Sequence, residues 1–330
     1  MSILGTYAER HLAERYENLP RGRYASLILL RVAESEAIFR TEGSGEDLSK
    51  EVVSAGRESS GPISRVVISK RKQTAVERRT GRELLRHHRK LGQVTIGAKG
   101  KEQQVDCPLN MNKPCGRCID CILYGYAVGG GAQKARLMTE DAFSLLGTVQ
   151  VTGRRTGNAT FDNGTMRNPV TGDPSTSIYE DEYVVPGTHF VDIETLKDVT
   201  FGELEYVLGN VLRSRRYGAI SSRMGEMRNE VLAVVFSDCE IFSALELTQA
   251  AYDVLAQRGE PAHPLPDATV RAAVEGSIDG LMSTVFSREP AVLRGEELLH
   301  ALAELQEVYR SDEGQLTMLA RATAGYPEPV

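Results

Sequence analysis

The chain lacks the features that place a protein in a membrane or outside the cell. It has no tryptophan, only 6% aromatic residues, and apolar runs no longer than segments such as ASLILL at 25–30. A membrane-spanning helix needs about 20 apolar residues, so none is predicted. The N-terminus carries Glu9, Arg10, Glu14 and Arg15 where a signal peptide has an apolar core. We therefore expect a cytoplasmic protein with no membrane partner.

Familiar catalytic motifs are missing too. The chain contains no H-E-x-x-H, no G-x-S-x-G and no paired-metal carboxylate motif. The glycine-rich segment GGGAQKARL (129–137) does not match the phosphate-binding pattern G-x-x-x-x-G-K-[ST]. His189 near Asp192 could form an acid–base pair, but nothing distinguishes it from an ordinary strand histidine. We therefore predict no catalytic residues.

Positive charge is scarce except in one segment. The net charge is −6, yet residues 57–101 hold 13 basic and 3 acidic side chains. Residues 102–330 hold 19 basic and 33 acidic side chains. A basic block inside an acidic protein indicates a localised surface for a polyanion. The alternative is two solvated faces of opposite charge.

Four of the five cysteines lie close together in the sequence. Cys107, Cys115, Cys118 and Cys121 follow the pattern C-x7-C-x2-C-x2-C, whereas Cys239 stands alone. In a chain without an export signal, such clustering indicates a metal site. Four thiolates complete a tetrahedral zinc shell and leave no open position, so the zinc would be structural. The rival is an iron–sulfur cluster, whose usual C-x3-C-P continuation is missing here.

The basic block KRKQTAVERRTGRELLRHHRK (70–90) has helical periodicity. Thr74 and Glu77 have the spacing of a capping box, and Val76, Thr80, Leu84, His88 and Leu91 form an apolar stripe. Arg78, Arg82, Arg86 and Arg89 form a second stripe, predicted to face outward. With no aromatic residue in the block, backbone contacts are predicted rather than base stacking. A solvated helix with an Arg79–Glu83 pair is the alternative.

The order of predicted elements indicates the fold class. Strands at 24–32, 145–151, 183–193 and 231–236 alternate with helices after Thr74 and after Thr200, whose capping box closes with Glu203. This is the β-α-β-β-α-β order of a ferredoxin-like or RRM-like α+β fold, with long insertions and a helical C-terminal part. The sequence lacks the aromatic string of an ordinary RRM, so base stacking on the sheet is not expected.

Several of these segments together resemble the backbone subunit of type I-D CRISPR effector complexes. They are RKQTAVERRTGRELLRHHR, the four-cysteine insertion, GGGAQKARLMTEDAFSLL, HFVDIETLKDVTFGELEYVLGNVLRSRRYGA and FSDCEIFSALELTQA. The resemblance extends from about Tyr24 to about Gln249 and is weakest in the last 80 or so residues. No single motif carries it; their order and spacing do.

The resemblance implies an RRM-like sheet domain (the palm), a zinc-binding insertion and a hairpin (the thumb). The palm would comprise 1–99, 127–152 and 183–240, with zinc insertion 100–126, thumb 153–182 and helical region 241–330. Zinc would be held by Cys107, Cys115, Cys118 and Cys121. The guide-RNA surface would comprise Lys70, Arg71, Lys72, Arg78, Arg79, Arg82, Arg86, Lys134 and Arg136, with Arg154, Arg155, Arg213, Arg215 and Arg216 as further contacts.

The resemblance also implies partners in a prokaryotic cytoplasm. Several copies of the chain would bind one guide RNA along its phosphates and present its bases for pairing with target DNA, or with target RNA. The other partners would be a guide-end-capping subunit, a large subunit, small subunits and a helicase-nuclease. Two alternatives remain open: a backbone subunit that cuts target RNA with a loop acid such as Glu46 or Asp47, and a stand-alone zinc-stabilised RNA-binding module.

Overall fold

The computed structural model describes residues 2–40, 47–59, 61–97, 100–257, 259–282 and 285–327, so Glu46 lies outside the described residues. The helices are α1 (Ile3–His11), α2 (Lys70–His87), α3 (Ile119–Tyr124), α4 (Thr148–Val151), α5 (Phe201–Arg213), α6 (Ala244–Ala256), α7 (Asp267–Leu281), α8 (Gly295–Tyr309) and α9 (Asp312–Ala322). The strands are β1 (Tyr24–Ala33), β2 (Lys50–Ser54), β3 (Pro62–Ile68), β4 (Gln93–Ile96), β5 (Gln103–Asp106), β6 (Tyr126–Val128), β7 (Gly131–Gln133), β8 (Leu137–Thr139), β9 (Ala142–Gly147), β10 (Thr152–Asn158), β11 (Ile178–Val184), β12 (His189–Lys197), β13 (Met227–Ser237) and β14 (Ala291–Arg294).

One antiparallel sheet organises the chain. Its strand order is β14-β13-β1-β12-β9-β3-β2, and β8 also pairs with β12. Its central strands and their helices follow the chain order β1-α2-β9-β12-α5-β13. The predicted mixed α+β fold class is confirmed. The small hairpins β4–β5, β6–β7 and β10–β11 lie outside this sheet.

Both faces of the sheet are covered. Every residue of β1 is buried. Leu27 and Leu29 pack in a core with residues of α5, α8 and α9, whereas Ile28 and Leu30 pack in a second core with residues of α6 and α7. Alternate strand residues point to opposite faces, so the two cores lie on opposite sides. A covered sheet offers no platform for bases, which agrees with the missing aromatic string.

Arg31 on β1 is the centre of a fully buried ionic cluster. Its guanidinium lies 2.9 Å from Glu77 of α2 and donates at 2.8 Å to Asp192 and at 2.9 Å to Glu194, both on β12. Tyr217, which follows α5, donates at 2.9 Å to Glu77 and accepts from Arg31 at 3.1 Å. The cluster therefore connects α2 to the centre of the sheet.

Three carboxyl groups face a single guanidinium in this cluster. Burial, and then the nearby Glu77 carboxylate, raises the pKa of Glu194 well above its usual range. Burial also raises the pKa of Asp192. A buried carboxylate without a compensating charge is costly, so the cluster is most stable when Glu194 carries a proton.

The start of α2 differs from the sequence prediction. The helix begins at Lys70, and Thr74 lies inside it with its hydroxyl donating to the Lys70 carbonyl at 2.9 Å. The predicted Thr74–Glu77 capping box is therefore wrong. The cap comes from a distant segment, because the Lys70 N–H donates to the Asp141 carboxylate at 2.8 Å. The capping box of Thr200 and Glu203 on α5 is confirmed.

The C-terminal part is helical but contributes one strand to the sheet. After α6 and α7, β14 pairs with β13 at the sheet edge. Helices α8 and α9 then pack against the first core. Among the described residues, no helix is both long and apolar enough to cross a lipid bilayer.

The buried cluster gives a prediction about pH. Because the folded-state pKa of Glu194 is raised, wild-type stability falls as the pH rises above the ordinary glutamate pKa of about 4.3. Glu194→Gln removes this loss. The difference in unfolding free energy between the variant and wild type should therefore shift in favour of the variant between pH 5 and pH 8, by about 1.4 kcal/mol for each unit by which folding raises the pKa. Urea unfolding at both pH values measures it.

Arg31→Met is the matching variant for this test. Removing the guanidinium that faces the three buried carboxyl groups should cost about 3–5 kcal/mol at pH 8. If Glu194→Gln were as destabilising as Arg31→Met at both pH values, the assignment of a proton to Glu194 in the folded state would be wrong.

Candidate metal centre and nucleic-acid interface

The four clustered cysteines converge on one point. Cys107 follows β5, Cys115 lies in the loop, Cys118 caps α3 and Cys121 lies within it. Their sulfur atoms all lie within 4.8 Å of one another, with 3.5 Å between Cys107 and Cys121 and 3.8 Å between Cys115 and Cys121. In a tetrahedral zinc site with bonds of about 2.3 Å, sulfurs lie about 3.8 Å apart. The four cysteines can therefore hold a single metal ion.

The electrostatics of the cluster favour a bound cation. Hydrogen bonding with Cys107 lowers the pKa of Cys115 and raises that of Cys118, so the thiols cannot all ionise together by themselves. A divalent ion removes this conflict because it stabilises every thiolate at once. Gly92 is needed beside the cluster, since a Cβ there would lie 2.5 Å from the Cys115 sulfur.

Asp120 attaches the cysteine loop to α2. Its carboxylate is 1% exposed and accepts two hydrogen bonds from Arg78, at 2.7 and 2.9 Å, and one from Arg82 at 2.6 Å. Arg82 also donates to the carbonyl of Cys107. Because Asp120 lies between Cys118 and Cys121, the orientation of α2 depends directly on the conformation of the cysteine segment. Sequence reasoning missed Asp120, since no local pattern distinguishes it.

Three cations predicted for the RNA surface form ion pairs within the protein instead. Arg82 is 2% exposed and Arg78 is half-buried, so the predicted outward stripe through Arg78 and Arg82 is wrong. Arg136 is also buried, where it pairs with Glu203, donates to the Asp198 carbonyl at 2.9 Å and lies over the Tyr16 ring. Burial lowers the pKa of Arg136. These residues position α2 and α5.

A different stripe of α2 faces outward. Lys72, Arg79 and Arg86 recur every seven residues, and within the described ranges their side chains make no ion pair or side-chain hydrogen bond. Seven residues are nearly two helical turns, so the three cations lie along one line about 10.5 Å apart. Arg79 and Arg86 are exposed, whereas Lys72 is half-buried. Arg71 at the start of the helix and Lys134 after β7 are exposed and likewise unpaired in the described structure.

The other predicted cations are exposed but have acidic or aromatic neighbours. Lys70 lies 3.3 Å from Asp141, while Arg215 and Arg216 lie 3.4 and 3.7 Å from Glu226. Arg213 lies over the Tyr309 ring. On the β10–β11 hairpin, Arg154 lies 3.1 Å from Glu180 and Arg155 pairs with Glu36. These cations can reach a polyanion only in competition with their present partners.

The acid–base pair considered for His189 has a different partner. His189 lies 2.8 Å from Asp267 of α7 rather than pairing with Asp192, which belongs to the Arg31 cluster. Asp47 lies 3.6 Å from Arg154. The His189–Asp267 and Asp47–Arg154 contacts are both typical of residues that stabilise a fold.

Comparisons with known proteins bear on the family and on the fold of the chain. A family model described as Csc2 Crispr matches residues 11–319. The crystal structure of Thermofilum pendens Csc2 has a TM-score of 0.60 and 20% identity, covering 95% of this chain and 90% of that chain. A chain described as CRISPR RNA-guided surveillance complex has a TM-score of 0.50 and 9% identity, covering 85% and 99%. Both likenesses show the fold. No curated protein matches the chain.

Loss of one thiolate should empty the cysteine site. We expect Cys118→Ser to lose its metal and to lower the midpoint of thermal unfolding, because binding of the ion contributes to folding of this segment. Metal content per chain by mass spectrometry and a thermal melt measure the two effects. Cys239→Ser is the control, since Cys239 lies outside the cluster and should keep the full metal content. Equal metal content in both variants would contradict the assignment.

Proposed function

The chain belongs to the Csc2 family, the backbone subunits of type I-D CRISPR RNA-guided surveillance complexes, and we propose that the outward stripe of α2 grips the guide RNA by its phosphates. The observation that carries this proposal is the line formed by Lys72, Arg79 and Arg86. Arg71 and Lys134 would also contact phosphates of the guide RNA. Lys70, Arg154, Arg155, Arg213, Arg215 and Arg216 are secondary contacts that must first leave their present partners.

We propose that the sheet with α2 and α5 is a modified RRM-like palm. The strand order β13-β1-β12-β9 supports this, because it is the β-α-β-β-α-β arrangement with both helices on one face. An ordinary RRM binds bases on the opposite face. Here α6 and α7 pack on that face, so RNA would bind at the edge formed by α2.

Contacts to phosphates carry no sequence information. A backbone subunit that binds in this way accepts any guide sequence and leaves base edges free to pair with target DNA, or with target RNA. Spacing of about 10.5 Å along α2 lets successive cations reach different phosphates of one strand.

We propose that the cysteine site holds structural zinc. The short distances between sulfurs support a single ion, because an iron–sulfur cluster spreads its thiolates around an inorganic core. Zinc would fix Asp120 between its ligands, and Asp120 in turn holds Arg78 and Arg82. The ion would thus position α2 without touching RNA.

We propose that the β10–β11 hairpin is the thumb and contacts a neighbouring copy on the same guide. Val170 is 90% exposed, Ile178 70% and Tyr179 47%, so this hairpin offers apolar side chains that a partner would cover. Multi-subunit assembly would also involve guide-end-capping, large, small and helicase-nuclease subunits. Asp47, paired with Arg154 at the hairpin, fits a structural role, and a non-catalytic subunit is the function we favour.

The α2 stripe can be tested with a charge-reversal triple. Lys72→Glu, Arg79→Glu and Arg86→Glu should weaken binding of a single-stranded guide RNA by at least about tenfold near physiological salt. The slope of log K against log salt should fall in magnitude by about 2, as three phosphate contacts are lost. Fluorescence anisotropy over a salt series gives both values, and circular dichroism checks the fold.

The matched control is Arg10→Glu, Arg15→Glu and Arg21→Glu, three exposed arginines in the N-terminal region. It changes the net charge equally, and we expect its slope to match wild type. Equal losses in the two triples would show that only net charge matters and would contradict the proposal.

A further inference from the structure

A second cluster of metal-ligating side chains lies away from the cysteines. His87 ends α2, His88 follows it, and Asp312 is the first residue of α9. One ligand atom from each of the three lies within 4.8 Å of the others. We propose that these residues bind a divalent transition-metal ion such as Zn²⁺, separately from the cysteine site.

The geometry is close to that of an open metal site. His87 Nε2 lies 3.3 Å from the Asp312 carboxylate, and the two imidazole rings lie 4.6 Å apart between centroids. Ligands of a tetrahedral ion with bonds of about 2.1 Å lie about 3.4 Å apart. His87 and Asp312 are 62% and 73% exposed, so small rotations can bring the remaining atoms into range. Two imidazoles and one carboxylate leave the fourth position to water.

One ligand is already held at the site. His88 is half-buried, and its Nε2 lies 2.6 Å from the Gln315 side-chain oxygen. Gln315 is fixed in turn, because its amide donates to the Tyr309 carbonyl at 2.7 Å. Hydrogen bonds of this kind commonly orient metal-binding imidazoles.

The chemistry of the ligands selects the kind of ion. Zinc, nickel, cobalt and copper ions bind imidazole nitrogen well, whereas magnesium and calcium ions need mostly oxygen ligands. A single carboxylate gives too few oxygens for the hard ions. The site would therefore distinguish transition metals from Mg²⁺.

Such an ion would join two parts of the chain that are distant in sequence. His87 and Asp312 are 225 residues apart. An ion bound to both would fasten α9 to the end of α2, next to exposed Arg86. Because it binds the folded state, it should raise thermal stability with increasing concentration.

Metal titration of the full chain with its cysteine site filled tests the proposal. Equilibrium dialysis against Zn²⁺, followed by metal analysis, should give two equivalents per chain for wild type. The double variant His87→Ala/His88→Ala should give one, and Asp312→Asn should bind the second equivalent at least about tenfold more weakly. His300→Ala, an exposed histidine on α8, is the control and should retain both equivalents.

Cobalt gives an independent readout. Co²⁺ at the cysteines shows thiolate charge-transfer absorption, whereas Co²⁺ at the histidine site should add only weak visible bands that vanish in the double variant. Mg²⁺ in excess should not displace Co²⁺ from the histidine site. The proposal is overturned if wild type binds a single equivalent, or if the second equivalent persists in His87→Ala/His88→Ala.

Discussion

The orientation of α2 depends on two buried ionic clusters along its inner side. Glu77 is bound to Arg31 at the centre of the sheet, and Arg78 and Arg82 are bound to Asp120 in the cysteine segment. Breaking a buried pair leaves an uncompensated charge and costs about 3–5 kcal/mol, so rotation of the helix is strongly disfavoured. This constraint determines which cations face solvent, and every proposed RNA contact on α2 follows from it.

An ion bound by the four cysteines would act on the same constraint from a distance. Asp120 lies between two cysteines that share the ion site, and Arg82 also donates to the Cys107 carbonyl. A bound ion would fix the Asp120 carboxylate, which in turn holds Arg78 and Arg82. The covered sheet has a comparable effect, because α6 and α7 occupy the face on which an ordinary RRM binds bases. In the proposed function, RNA therefore binds at a helix edge and through its phosphates.

Local sequence patterns predicted part of this arrangement well. The cysteine cluster could be recognised because its ligands lie within one short segment, and the α5 capping box because both partners are three residues apart. The cap of α2 could not, because Asp141 supplies it from 71 residues away. Likewise, Arg82 and Arg136 were assigned to the surface because their partners, Asp120 and Glu203, are distant in sequence. Periodicity shows which residues share a face of a helix, but tertiary ion pairs decide which cationic face is buried.

Crosslinking tests the central claim most directly. The full chain is assembled on a guide RNA carrying photoreactive nucleotides, and crosslinked peptides are mapped by mass spectrometry. We expect crosslinks on the outward face of α2, around Lys72, Arg79 and Arg86, and near Lys134, with none on α6 or α7. Crosslinks concentrated on α6 and α7, with α2 unlabelled, would contradict it.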